Sequence, residues 1–194
     1  MTTPVKDKKR FIRIAATIAA FLGLMLATLI PKFQEKNNRL TSAAQLRSIS
    51  LALRQYAADY SNAVPELPGA AGLSRLTSGG YLADPRLFLA PADRVSLKNP
   101  DRFLTEENTT YAYAGAGLSV SDGESDYPML FEKPWLMKPP YYVVLFSGEV
   151  ISGGNMPDVA NCEEFIRHLA GDQSNPVWEK ILANARAIDR ACGR

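Results

Sequence analysis

Residues Ile14 to Ile30 (IAATIAAFLGLMLATLI) carry no charge, and an amphipathic run follows them without a clear break. The uncharged part is about 17 residues, the lower edge of what spans a bilayer core of roughly 30 Å. Beyond it, Leu46, Ile49, Leu53, Tyr56 and Tyr60 recur at spacings of three and four, which places them on one helical face. Arg47, Ser50, Arg54 and Asp59 fall elsewhere on the wheel. The spacing predicts one long helix from about Ile14 to Tyr60, its start in lipid and its second half soluble. The apolar stripe on that second half requires a globular cover, and the rest of the chain is the right size to supply one.

The basic cluster Lys6, Lys8, Lys9, Arg10 and Arg13 precedes the uncharged run. Under the positive-inside rule it holds the N-terminus in the cytoplasm and sends the remainder outward, against a weaker opposing set, Lys32, Lys36 and Arg39. A cleaved signal peptide has the same layout, but the run ends in Leu29-Ile30-Pro31 with no small-x-small site before a polar start. Anchoring is therefore the expectation. A net charge of +2 gives no argument for nucleic acid.

Residues 1–9 read as disordered, and Pro31 as a kink where the helix leaves the membrane. Residues 65–105, rich in Pro, Gly and Ala, read as a surface wrap with a helical turn at Leu73–Leu76. Tyr81, Leu82, Leu87 and Phe88 are its expected anchors. Strands are expected at Thr109–Ala114, Met129–Glu132, Tyr141–Phe146 and Glu149–Ser152, the last two forming a tight hairpin across Ser147-Gly148. Asn161 caps a following helix with Glu164 as capping-box partner, and Asn175-Pro176 opens another. The expected fold is thus α+β: a long N-terminal helix, membrane-embedded in its first half, packed on a small antiparallel sheet, plus a C-terminal helical hairpin. The expected segments are a basic cytoplasmic tail (1–13), the spanning part (14–30), an α+β domain (31–154) and the helical extension (155–194).

Cys162 falls near the start of the first C-terminal helix and Cys192 at the end of the second, each on its apolar face, and in an antiparallel pair those two ends lie side by side. Outside the cytoplasm this arrangement predicts a disulfide between them.

The ordered set of stretches resembles the type IV pilin and type II secretion pseudopilin family, and is closest to its pseudopilin-G-like members. FLGLMLATLIPKFQ (Phe21–Gln34) is similar to the pilin helix in the spacing of Gly23 and Pro31. AAQLRSISLALRQYAADY (Ala43–Tyr60) looks like the segment that follows. GYLADPRLFLAPAD (Gly80–Asp93) resembles a loop of the family, and YYVVLFSGEVISGG (Tyr141–Gly154) its terminal hairpin. The likeness covers about residues 10–154. It departs at the family's processing signature: Lys9 stands for the Gly before the cleavage site, Arg10 for the first mature Phe, and Ile14 for the Glu of the mature helix. Ser42 and Ala90 occupy places where the family has cysteines.

No catalytic constellation is present in the sequence. His168 is the sole histidine, so a histidine metal cluster or triad has almost nothing to work with. Asp122, Glu124 and Asp126 offer carboxylates around Gly123, read as a solvated turn with calcium as the alternative. Gly115-Ala116-Gly117 lacks the Lys-Ser/Thr of a phosphate loop. Tyr141 and Tyr142 read as sheet packing rather than a binding surface. In the membrane half, Ala16, Ala20 and Gly23, ahead of Pro31, give small residues that let helices approach closely.

No enzyme activity, cofactor or metal is expected. The resemblance implies a membrane-anchored structural subunit of a secretion or pilus-like assembly. It would be single-pass in the inner membrane, its C-terminal domain periplasmic or extracellular, with other pilin-like subunits and inner-membrane assembly proteins as partners. The alternative is a periplasmic ligand- or envelope-binding module on an uncleaved anchor.

Overall fold

The first helix, α1, runs from Val5 to Asp59 and passes through Pro31. The structure, a computed structural model, describes residues 5–91, 104–120, 126–153 and 156–194, with side chains from Thr17 onward except those of Ala20, Leu22 and Leu24. The helix thus begins within the stretch expected to be disordered. Pro31 has no N–H to give, so one carbonyl of the preceding turn loses its intrahelical donor. Two compact units divide the chain, Met1–Arg39 and Leu40–Arg194.

In the second unit, the later part of α1 buries Leu46, Ile49, Ala52, Leu53 and Ala57. The stripe is as expected at Leu46, Ile49 and Leu53. Tyr60 lies just past the helix end and is exposed, stacked on the half-buried Tyr56. Ser50, expected off the stripe, is buried. Helix α2 (Gly69–Ser78) is longer than the expected turn, with Leu73 and Leu76 inside. Gly69 opens it at φ +64, and a side chain there would strike the Glu106 carboxylate. Short 3-10 turns follow at Pro85–Phe88 and Glu106–Asn108.

Four strands, β1 (Tyr111–Tyr113), β2 (Pro128–Glu132), β3 (Tyr141–Leu145) and β4 (Val150–Gly153), form an antiparallel sheet in sequence order. Tyr111 and Glu132 are register partners, and both reach α1. Phe131 and Tyr141 point the other way, onto Phe165 of α3 (Cys162–Ala170). The sheet is therefore a middle layer, with α1 on one face and α3 and α4 (Pro176–Ala191) on the other. The C-terminal helices belong to the same compact unit as the sheet.

The β3–β4 connection has three residues, not two. Gly148 N–H donates to Leu145 O at 2.8 Å, Gly148 takes φ +86, and Leu145 N–H meets Glu149 O at 2.9 Å. This is a three-residue hairpin loop whose last residue is left-handed, a conformation glycine adopts without penalty. Arg54, expected to be a plain surface residue, donates to Ser147 O at 2.7 Å and so ties α1 to this turn.

Both C-terminal helices start as their sequences dictate. Asn161 accepts from Glu164 N–H at 2.8 Å, while the Glu164 carboxylate accepts from Ala160 N–H at 3.0 Å, one residue earlier than a standard capping box. Asn175 accepts from Val177 and Trp178 N–H at 3.0 Å each, with Pro176 at the first helical position.

Candidate functional site

The large apolar side chains left outside any core are concentrated on α1. Ile18, Phe21, Met25, Leu26, Leu29, Ile30 and Phe33 are exposed in the first unit, Phe33 at 70 %. In the second unit Leu40 and Leu51 are exposed on α1, on the side away from the Leu46–Ile49–Leu53 stripe. Among the described residues no helix is long and apolar enough to cross a membrane. The side chains of Ile14, Ala15 and Ala16, which open the uncharged run, lie outside that description. Of the expected helix-packing set, the side chains of Ala16 and Ala20 are likewise outside it. Gly23 and Pro31 are exposed, and a methyl group on Gly23 would meet nothing within 4 Å.

The expected disulfide is absent: Cys162 and Cys192 are free thiols, the first buried and the second half-buried. From α4, Asp189 reaches the backbone at the start of α3. Its carboxylate accepts from Cys162 N–H at 2.8 Å and Glu163 N–H at 2.9 Å. Cys192 is three residues farther along, about 4.5 Å of helical rise beyond that contact, whereas a disulfide needs its Cβ atoms about 4 Å apart. Burial pushes the Cys162 thiol well above its ordinary value and raises Cys192 as well.

Two buried polar clusters escaped the sequence reading. In one, Ser42 Oγ donates to Glu132 Oε1 at 2.5 Å and lies 3.1 Å from the Tyr111 hydroxyl, which donates to Gln45 Oε1 at 3.1 Å. Tyr142 N–H supplies Glu132 Oε2 at 2.8 Å. Gln45 in turn donates to Leu89 O at 3.1 Å, beside Ala90, so hydrogen bonds link the neighbourhoods of Ser42 and Ala90. In the other, the fully buried Lys133 ammonium sits 2.7 Å from Glu106 Oε2 and donates to Glu106 O at 2.6 Å. The Oε2 contact is an ion pair without hydrogen-bond direction, and Oε2 has no other donor among the described residues. Glu106 Oε1 takes Ala70 N–H at 2.5 Å, joining this pair to the start of α2. The only legible signal for either cluster was a charged Glu132-Lys133 pair ending an otherwise apolar strand. Both tie elements together, and neither carries a nucleophile beside a base.

The remaining expected sites resolve simply. His168 is exposed. Tyr141 is fully buried, its hydroxyl 3.3 Å from Asp158 Oδ1, and burial raises its pKa. Asp122 and Glu124 lie outside the described residues, and among those described no group of three His, Cys, Asp or Glu side chains could hold a metal. A polar hollow of about 510 Å³ is lined by Glu163, Arg186, Asp189, Arg190 and Arg194. Its carboxylates are engaged, Asp189 by α3 and Glu163 by Arg167 and Arg186 at 2.7 and 3.0 Å. An apolar hollow of about 420 Å³ lies between the sheet and the C-terminal helices, walled by Tyr127, Val143, Leu145, Ile151, Leu169 and Trp178.

Exposed apolar side chains along α1 and the two hollows are thus the surface features of the described residues. No family model, no curated protein and no solved structure matches the chain.

Proposed function

We propose that this chain is a pilin-like structural subunit, anchored in a membrane by the first part of α1 and acting by assembly with other subunits. The observation that carries the reading is the apolar surface of α1. Burying one Leu or Phe stabilises by about 1.5–3 kcal/mol, so seven such side chains in the first unit are costly to leave in water. Lipid covers such a belt at no cost in polar groups, and the 17 or so uncharged residues from Ile14 to Ile30 are about the span it needs. Gly23 adds a point where a neighbouring helix can approach closely. The order of elements and the stretches Phe21–Gln34, Ala43–Tyr60 and Tyr141–Gly154 support the pilin-like, pseudopilin-G-like reading. The compartment that follows is the inner membrane, with the second unit on its outer side.

Crosslinking in native membranes tests this. Recovery of the chain in the membrane fraction, joined through α1 to other pilin-like subunits, is the expected result. A chain that remains alone would refute assembly and favour the ligand- or envelope-binding alternative. A chain released by high-salt or alkaline washing would refute the anchor.

A further inference from the structure

Strand β4 is the edge of the sheet, and its pairing fixes which of its backbone groups face outward. Leu145 and Glu149 exchange a hydrogen bond, and the register continues through Val143↔Ile151 and Tyr141↔Gly153. Hydrogen-bonded pairs alternate with non-hydrogen-bonded ones in an antiparallel ladder. Val150 and Ser152, opposite Val144 and Tyr142, therefore turn their N–H and C=O away from β3. Tyr142 gives the independent check: its N–H points the opposite way, to the Glu132 carboxylate across the sheet. Among the described residues no backbone partner meets the outward groups of Val150 and Ser152.

Beside this edge, on the α3–α4 face, lies the apolar hollow of about 420 Å³, with Ile151 of β4 forming one wall. Its volume falls within the usual range for binding pockets, about 300–1,000 Å³. Trp178 and Tyr127 meet edge-to-face at 5.1 Å and form a rigid flank. Gln173 accepts from Trp178 Nε1 at 2.9 Å and holds the indole in place.

We infer that β4 and this hollow together form a binding site for an extended peptide segment of another protein. The peptide adds as a fifth strand, exchanging hydrogen bonds with Val150 and Ser152. Side chains alternate along a strand, so the peptide residue opposite Ile151 projects to the same face as Ile151, toward the hollow, and an apolar side chain there fills it. The ladder decides the occupant: four outward backbone groups are matched by another polypeptide backbone, and neither a lipid tail nor a compact apolar ligand supplies that pattern. Glu149, exposed at the head of β4, favours a basic residue at the adjoining end of the peptide. The inference does not depend on the anchoring role of α1.

The test uses the full chain in detergent and a synthetic heptapeptide with Val and Leu at alternate positions, Thr between them and Lys at both ends. A second peptide carries the same sequence with its β4-facing amides N-methylated, which leaves its apolar content intact but removes the ladder. The expected result is saturable binding of the first peptide, at least roughly tenfold weaker binding of the second, and roughly tenfold slower amide exchange at Val150 and Ser152. Ser152→Pro removes only an outward N–H, which an edge strand tolerates, and should weaken the first peptide similarly. Equal binding of both peptides, or no binding at 1 mM, overturns the inference. So does concentration-dependent protection of Val150 and Ser152 without peptide, which would make a second copy of the chain the occupant. The N-methylated comparison decides the matter even if Ser152→Pro fails to fold.

Discussion

Leu51 and Leu53 stand two residues apart on α1, one 63 % exposed and the other fully buried. Replacing each by alanine separates the internal core from the outer face of the helix. Leu53 packs within the cluster that includes Leu46, Ile49 and Ala57. Truncating it removes buried methyl groups and leaves a cavity that neighbours fill only in part, a loss of about 2–5 kcal/mol. For a chain of this length each kcal/mol lowers Tm by about 2–4 °C, so a loss of about 3 kcal/mol gives a fall of about 6–12 °C. Leu51→Ala touches no core and should stay within about 0.5 kcal/mol. The assay is thermal unfolding in detergent followed by near-ultraviolet circular dichroism, which reads the packed aromatic residues rather than the helical backbone. On the proposed assembly role, Leu51→Ala should instead reduce crosslinking between molecules, because Leu51 is exposed. Equal Tm changes for the two variants would refute the assignment of the two faces.

Lys133→Met strands the Glu106 carboxylate in a buried site and should cost about 3–5 kcal/mol; adding Glu106→Gln should restore part of this, and both are read by denaturant unfolding. Mass spectrometry without reductant should find two free thiols, with Cys162 unmodified by iodoacetamide at pH 8 until the chain is unfolded and Cys192 reacting slowly. Burial raises the pKa of Tyr113, Tyr141 and Cys162, so their neutral forms are favoured in the fold. The stability linked to them is complete below the ordinary values of 9.0 for the thiol and 10.0 for the phenols and is lost as pH rises beyond, which a fall of Tm above about pH 9 would register. On the proposed pilin-like reading, Lys9, Arg10 and Ile14 stand where processing needs other residues, so the intact mass of the chain from native membranes should show no cut before Arg10.

The strands were legible because Tyr141–Leu145 is built of residues that pack well on a pleated surface, and α4 because Asn175-Pro176 both caps and opens it. The stripe on α1 was legible where it is apolar. Ser42, Gln45 and Ser50 share the buried side of that helix, but polarity alone reads as exposure, and their partners are supplied by distant elements. The same holds for Arg54, whose contact is with a carbonyl of a turn 93 residues away. The thiols were misread for a related reason. Helical periodicity put both cysteines on the inner faces but carried no axial offset, and Asp189 rather than Cys192 turned out to oppose the start of α3. The edge of β4 was hidden because a strand's place in the sheet is a property of pairing, not of its own sequence.

The contact from Asp189 to α3 also sets an order of events. Helix α3 has nine residues, too few to persist alone in water. Two of the N–H groups at its start are satisfied by a carboxylate 26 and 27 residues later in the chain. During synthesis, therefore, α3 is expected to stay unformed until Asp189 has left the ribosome and α4 has docked. Until then Phe165, which closes one side of the sheet over Phe131 and Tyr141, is not in place. The sheet spends that interval with an uncovered aromatic face, an opening for a chaperone and a hazard without one.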